Sequence, residues 1–241
     1  MIPCVAKPQR PLSVRRPEDF DQPDSLQPKF ATRRRSTSAY LVKDKSYSAI
    51  KFDVGTTITT QELSTPDPHT DLVSLAISDN YLAGVQTSGQ VVIWEESRPR
   101  ILSGISGMTI VNIAVGKNFV CLLTDRGILL TKGKGRSGCL GHGDTRDVAT
   151  PKIVEALLGE DVVEVRAGDK HVVAVTSDGE VFTWGEGECG CLGLGHRNSV
   201  TIPEVVDTDE DIEKVFCGPS CTALLAPDGR LVKAGEGCWV L

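Results

Sequence analysis

Along residues 72–241 the apolar positions alternate with other residues in short stretches rather than recurring at helical spacing. A stretch such as VVAVTSDGEVFTWG is rich in Val and is broken by Ser-Asp-Gly, as a later one is by Pro-Asp-Gly, which predicts a strand, a tight turn and a second strand. This hairpin pattern recurs. Four segments superpose without a gap: VSLAISDNYLAGVQTSGQVVIW (73–94), VNIAVGKNFVCLLTDRGILLTK (111–132), VEVRAGDKHVVAVTSDGEVFTW (163–184) and EKVFCGPSCTALLAPDGRLVKA (213–234). In each, a turn glycine (Gly89, Gly127, Gly179, Gly229) falls 11 residues after Ser78, Gly116, Gly168 or Gly218.

A second half repeats in two copies. GKGRSGCLGHGD (133–144) and GEGECGCLGLGH (185–196) stand 52 residues apart, as do Pro151 and Pro203, so the period is about 50. The last copy reduces to GEGCWVL (235–241), and the first lacks this half, passing from Trp94 through EESRPRILSGISG into the next unit. VVEVRAG adds a short strand before the hairpin, and Pro-Lys-Ile-Val or Pro-Glu-Val-Val adds a fourth that begins with proline, a residue tolerated at a strand start or sheet edge. Four short antiparallel strands in each 50 residues predict an all-β fold: a partial β-propeller of about three and a half four-stranded blades. A helical solenoid is disfavoured, because no window of a dozen residues holds a 3.6 period apart from a possible turn near Val154–Leu158.

Glycines at repeat positions are expected to build this architecture: Gly116, Gly127, Gly133, Gly135, Gly168, Gly179, Gly185, Gly187, Gly218, Gly229 and Gly235. A phosphate-cradling loop would need a strand running into a helix and Gly-Lys followed by Ser or Thr; Gly133-Lys134-Gly135 fails that test, and no cofactor is expected. Cys139 with His142, Cys189 with Cys191 and His196, and Cys217 with Cys221 lack the paired Cys-x-x-Cys spacing of structural zinc, so no metal is expected either. His171, set beside Asn118, Asn80 and Ser220 in the sister copies, is expected to hydrogen-bond between neighbouring strands; Trp94 and Trp184, alike in position, are expected to anchor packing. No Ser or Cys nucleophile has a local histidine and carboxylate, and no enzyme is expected.

Charge adds a boundary. Of 26 basic and 32 acidic residues, 10 and 5 fall in residues 1–45 (net +5), leaving 16 and 27 in residues 46–241 (net -11). With six prolines, residues 1–45 are expected to be a disordered basic linker, residues 46–71 an irregular or degenerate first-blade segment, and residues 72–241 the repeats: 72–110, 111–161, 162–211 and a truncated 212–241. Arg33-Arg34-Arg35 ahead of Ser36, Thr37 and Ser38 suits a basophilic kinase and makes those three hydroxyls candidate phosphosites, beside the plainer reading of a solvated linker. No apolar run approaches the about 18 to 20 residues of a membrane-spanning helix, and MIPCVAKPQRPLSVRR lacks the apolar stretch of a secretory signal. A cytosolic or nuclear location and eight free thiols are expected.

The strand ending in Ala/Cys-Gly, then His-Val-Val-Ala-Val-Thr-Ser-Asp-Gly-Glu-Val-Phe-Thr-Trp-Gly, then Gly-x-x-Gly-x-Leu-Gly-x-Gly and a later proline, resembles the regulator of chromosome condensation repeat. The match is strong from Val162 to Pro203, good from Val111 to Pro151, partial from Ile212 onward and weak from Leu72 to Trp94. The resemblance implies a seven-bladed propeller whose rims bind proteins; with fewer units present, the chain is expected to be a fragment or truncated form of a longer protein. Within the family it is similar to the repeats that follow the kinase domain in NIMA-related kinases, where a basic Ser/Thr linker precedes atypical first repeats, though no kinase signature occurs here. The implied function is a non-enzymatic protein-interaction and regulatory scaffold, its partners including a protein kinase or a small GTPase, in the cytoplasm with association to centrosome, cilium or nucleus. Because the founding member is the exchange factor for the GTPase Ran, guanine nucleotide exchange is the alternative. Membranes are excluded as partners and nucleic acid is disfavoured by the acidic body. Loops 142–150 and 194–202, where the copies diverge most, are the expected contact surface.

Overall fold

The computed structural model describes residues 29–32, 36–43, 46–53, 58–63, 72–78, 81–95, 98–208 and 212–235, with backbone alone for 29–63, 95 and 98. These residues form five antiparallel sheets in which every strand pairs with its neighbours in sequence. The first sheet holds β1 (Lys29–Thr32), β2 (Ser36–Lys43), β3 (Ser46–Asp53) and β4 (Ile58–Leu63); the second holds β5 (Leu72–Ile77), β6 (Leu82–Gln86), β7 (Val91–Glu95) and β8 (Arg98–Ile101). The third comprises β9 (Ile110–Val115), β10 (Phe119–Thr124), β11 (Leu129–Gly133) and β12 (Val148–Ile153), and the fourth β13 (Val162–Ala167), β14 (His171–Thr176), β15 (Val181–Gly185) and β16 (Val200–Val205). The fifth has β17 (Lys214–Gly218), β18 (Cys221–Leu225) and β19 (Leu231–Gly235).

The second strands read as continuous apolar runs because they are buried on both faces. Along β10, Val120 and Leu122 enter a core shared with Val85 and Ile93 of the second sheet, while Cys121 and Leu123 enter a core shared with Val165, Val172 and Ala174 of the fourth. Along β14 the alternation continues: Val172 and Ala174 face back, and Val173 and Val175 join Val215 and Leu224 of the fifth sheet. A period of two therefore partitions each of these second strands between two cores, so that the third and fourth sheets share a core with the neighbour on either side. The sheets stack through their first strands, β9 packing on β5 and β13, and β13 on β17.

Hairpin geometry follows from two residue types. Gly127 and Gly179 take φ of +71° and +90°, a region that a side chain opposes, while the Thr124 and Thr176 hydroxyls accept from the Ile128 and Glu180 amides at 3.0 and 3.1 Å.

Several expectations change. Residues 29–63, divided by composition between a disordered linker and an irregular segment, form the first sheet; six prolines concentrated before residue 29 dominated the average, whereas STSAYLVK carries Thr, Tyr and Val and SYSAIKFD carries Tyr, Ile and Phe, the residue types of pleated strands. Residues 1–28 lie outside the described residues. The first repeat copy lacks the glycine loop but not the fourth strand, since Arg98–Ile101 turns straight back to pair with β7. Pro151 and Pro203 lie inside β12 and β16 rather than at their starts; both are edge strands, where a missing N–H costs no ladder bond. His171 pairs with Gly185 as Phe119 pairs with Gly133 and Cys221 with Gly235, so its sister residues are Phe119 and Cys221, one position beyond Asn118 and Ser220. The possible turn near Val154–Leu158 is a 3-10 turn at Glu155–Leu157.

Gly168 and Gly179 separate close packing from backbone freedom. A Cβ on Gly168 would lie 2.1 Å from the His171 ring and 2.6 Å from the Gly218 carbonyl of the next sheet, whereas one on Gly179 would meet nothing within 4 Å. Gly168→Ala is expected to lower stability by about 3 kcal/mol and Gly179→Ala, which meets only the φ penalty, by about 1 kcal/mol. Urea denaturation midpoints read the difference, and equal losses would refute this account.

Candidate functional site

The two glycine loops are held by the same set of bonds. The Thr131 and Thr183 hydroxyls donate to the Leu140 and Leu192 carbonyls at 2.7 and 2.8 Å. The Cys139 and Cys191 thiols donate to the Lys134 and Glu186 carbonyls at 3.3 and 3.1 Å; burial pushes these thiols up to about 11 and about 12, so they stay protonated as donors. The Gly135 amide donates to Asp147 Oδ1 at 3.1 Å, and the Gly187 amide to Ser199 Oγ at 3.2 Å. A Cβ on Gly135 or Gly187 would stand 2.0 Å from the Arg146 or Asn198 carbonyl. Gly133, Gly185 and Gly235 share another close approach, to the carbonyls of Asn118, Lys170 and Ser220 at 2.3 to 2.4 Å from such a Cβ, and one on Gly116 or Gly218 would strike Phe119 or Cys221. The threonines, Asp147 and Ser199 were not singled out from the sequence; recurrence at 52 residues was the signal that could have found the threonines.

On this shared frame the exposed residues differ. The third-sheet loop presents Asp144, Thr145, Arg146 and Asp147, the fourth His196, Arg197, Asn198 and Ser199. Asp144 accepts from the Arg146 amide at 2.9 Å and pairs with its guanidinium, which holds the carboxyl below its usual range; in the other loop His196 Nδ1 accepts from the Asn198 amide at 3.2 Å. Beside the first loop a cleft of about 500 Å³ is lined by Lys117, Lys134, Arg136, Lys170, Asp169 and Glu186 among others. Lys134 pairs with Asp147 at 2.8 Å and Lys170 with Glu186 at 2.6 Å. One repeat later, the places of Lys117, Lys134 and Arg136 are taken by Asp169, Glu186 and Glu188, so the sign of the charge reverses between neighbouring units. Val73, Val111 and Val163, which share a repeat position on successive first strands, are all exposed, at 64%, 53% and 54%.

The titratable candidates are dispersed. His171 is buried on β14 with Nε2 3.1 Å from the Thr222 hydroxyl, so its link runs between sheets rather than between paired strands; burial pushes it down to about 4. His142 Nε2 lies 3.0 Å from the Thr131 hydroxyl, and partial burial lowers its pKa. Burial also raises the Cys121 and Cys217 thiols, which opposes nucleophilic use. The six described cysteines are unbridged, and among the described residues no three His, Cys, Asp or Glu gather as a metal site. Thr37 and Ser38 are paired to both β1 and β3, and Ser36 to β3; Arg33–Arg35 and His69 lie outside the described residues. No helix among the described residues is long and apolar enough to cross a membrane.

Four-stranded antiparallel meanders, stacked face to face at a 50-residue period, define a β-propeller array. The regulator of chromosome condensation (RCC1) repeat model matches residues 126–175 and 178–225, and a second model of that repeat matches 162–191; the chain carries RCC1 repeats. It is 37% identical over 196 residues to the serine/threonine-protein kinase Nek8 of Danio rerio, an alignment covering 72% of this chain and 28% of the kinase. Over 203 residues it is 31% identical to the E3 ubiquitin-protein ligase HERC2 of Homo sapiens, covering 74% of this chain and 4% of the ligase. The chain thus spans a small part of the relatives it matches. In structure it is similar to yeast RCC1 (Prp20), with a TM-score of 0.69 at 19% identity over 86% of this chain and 55% of that one, and to human WBSCR16, at 0.68 and 22% over 85% and 59%.

His171 gives this interface a pH signature. A free imidazole titrates at 6.5 and the buried one at about 4, so between those values the unfolded chain binds a proton that the folded chain refuses. Stability from this group is whole above pH 6.5 and falls by roughly 3 kcal/mol as the pH drops to 4. His171→Phe, which copies its sister Phe119, is expected to flatten the fall in urea midpoint between pH 7 and pH 5; an unchanged slope would refute the assignment.

Proposed function

We propose that the chain is a non-enzymatic protein-interaction module with a regulatory role, of the kind that suits the repeat region of a NIMA-related kinase, and that loops 142–150 and 194–202 with the adjoining cleft are its contact surface. The observation that carries this reading is the contrast within the repeat: the threonine, cysteine and glycine-amide bonds of the loop frames recur, while the residues the loops expose change identity and Lys117, Lys134 and Arg136 give way to Asp169, Glu186 and Glu188 one unit on. A scaffold alone needs only the frame. The basic lip of Lys117, Lys134, Arg136 and Lys170 on an acidic body favours an acidic segment of the partner, and such charges act chiefly on encounter rate and partner choice.

Guanine nucleotide exchange on a Ran-type GTPase is the second reading. It draws on the likeness in fold to the yeast protein Prp20, whose own structural description names binding to Gsp1p and histones. That likeness is of fold, and one fold hosts many functions.

Two measurements on the full chain separate these readings: calorimetric binding to a purified NIMA-related kinase domain, and release of fluorescent GDP from Ran. The module reading expects binding that falls about tenfold with Lys117→Glu plus Arg136→Glu, a loss of about 1.4 kcal/mol, and no faster release. Accelerated release at micromolar protein would favour exchange, and binding untouched by alanine substitution of both loops would remove them as the contact surface.

A further inference from the structure

Trp184 shows what an inter-sheet slot in this protein holds. Its fully buried indole stands on β15 in the core between the third and fourth sheets, and its Nε1 donates to the Cys139 carbonyl at 2.9 Å. Gly141 and Val154 close over the ring: a Cβ on Gly141 would come within 3.0 Å of Nε1 and 3.2 Å of Val154.

One repeat along, Cys139, Gly141 and Val154 become Cys191, Gly193 and Val206, and Trp184 becomes Ala234. Among the described residues no ring takes its place, and a Cβ on Gly193 would meet the Ala234 methyl at 3.5 Å and Val206 at 3.6 Å. Between the fourth and fifth sheets lies a slot of about 320 Å³, with Leu192, Gly193, Val206, Leu224, Val232 and Ala234 among its walls. Its volume falls at the small end of the range of ligand pockets. Of the hydroxyls at its walls, Thr183 is engaged with the Leu192 carbonyl and Thr222 with His171; Asp207, Thr208 and Lys233 complete the lining beside the apolar walls. The slot is reached from solvent: Val232 is 42% exposed, whereas Phe182, its counterpart one repeat earlier, is 8% exposed.

We propose that this slot binds the indole of a tryptophan carried by a partner protein, seated as Trp184 is seated and donating its N–H to the Cys191 carbonyl. The inference rests on the protein-interaction reading above and adds a second anchor point, on the opposite side of the fourth sheet from the basic cleft. A tryptophan suits the seat because it supplies a large rigid apolar surface with one donor, the combination that dominates many protein interfaces.

N-acetyl-tryptophanamide is the probe, titrated into the full chain and followed by saturation-transfer NMR. It should bind, and N-acetyl-phenylalaninamide, which lacks the ring N–H, should bind about fivefold more weakly. Ala234→Trp is expected to fill the slot from within, raise Tm and weaken probe binding at least tenfold. Val232→Arg, at an exposed wall, should weaken the probe similarly without touching a core, and it decides the matter if the first variant does not fold. Absence of probe binding, or equal binding to wild type and both variants, overturns the slot. The kinase-domain titration keeps the two readings apart: Ala234→Trp should weaken a partner that wild type binds, and a partner bound equally by this variant overturns the tryptophan anchor while leaving the module reading standing. If no partner binds wild type, the module reading fails, and with it the partner's tryptophan as occupant, even where the probe still occupies the slot.

Discussion

The close approach of one sheet's turn to the next governs the array. The Lys117 amide donates to the Asp169 carbonyl at 2.9 Å, and the Asp169 amide to the Pro219 carbonyl at 3.0 Å, so three successive turns are joined backbone to backbone. This requires a glycine immediately before the bonding residue in each turn: at Gly116 and Gly168 the ring three residues on, Phe119 or His171, lies where a Cβ would be, and at Gly168 the next sheet's carbonyl lies there as well. Register between sheets is thereby set by backbone geometry before any side chain contributes. Because each second strand divides its apolar residues between two cores, the loss of one turn would expose both, and stability is shared between neighbours as in other repeat arrays.

A frame that repeats this closely makes its departures informative. Thr131 and Thr183, Cys139 and Cys191, Gly135 and Gly187 do the same work in two units, and chemistry confined to them is structural. The reversal from Lys117, Lys134 and Arg136 to Asp169, Glu186 and Glu188 has no part in those bonds apart from the backbone carbonyls of Lys134 and Glu186, nor does the exchange of Trp184 for Ala234 preserve the packing it replaces. Selection for a scaffold would not require either change. Both lie beside the fourth sheet, one at a charged lip and one at an apolar slot, which is the division of labour expected between steering and anchoring in recognition.

Much of this was legible in the residues. Gly89, Gly127, Gly179 and Gly229 marked the hairpins, and Val-rich alternation marked their arms, because turn chemistry and the period of two are local properties. The first sheet was missed because composition over 45 residues averaged a proline-rich arm with strands that follow it. The fourth strand of the second sheet was missed because Arg98–Ile101 carries no glycine loop to announce it. His171 was placed one position out of register; the gap-free superposition of the copies sets it opposite Phe119 and Cys221, as its pairing with Gly185 shows.

The all-β class, the period and the turn glycines were legible along the chain, since each depends on short-range sterics repeated often enough to be seen, and the repeat motifs carried the family resemblance. What lies between the sheets emerges from their stacking: Trp184 reaches back to the Cys139 carbonyl, His171 meets Thr222 of the next unit, and a slot lies beside Ala234. Those contacts join residues about one repeat apart, and their distances follow from how two faces stack, a relation that no alternation along a single strand encodes.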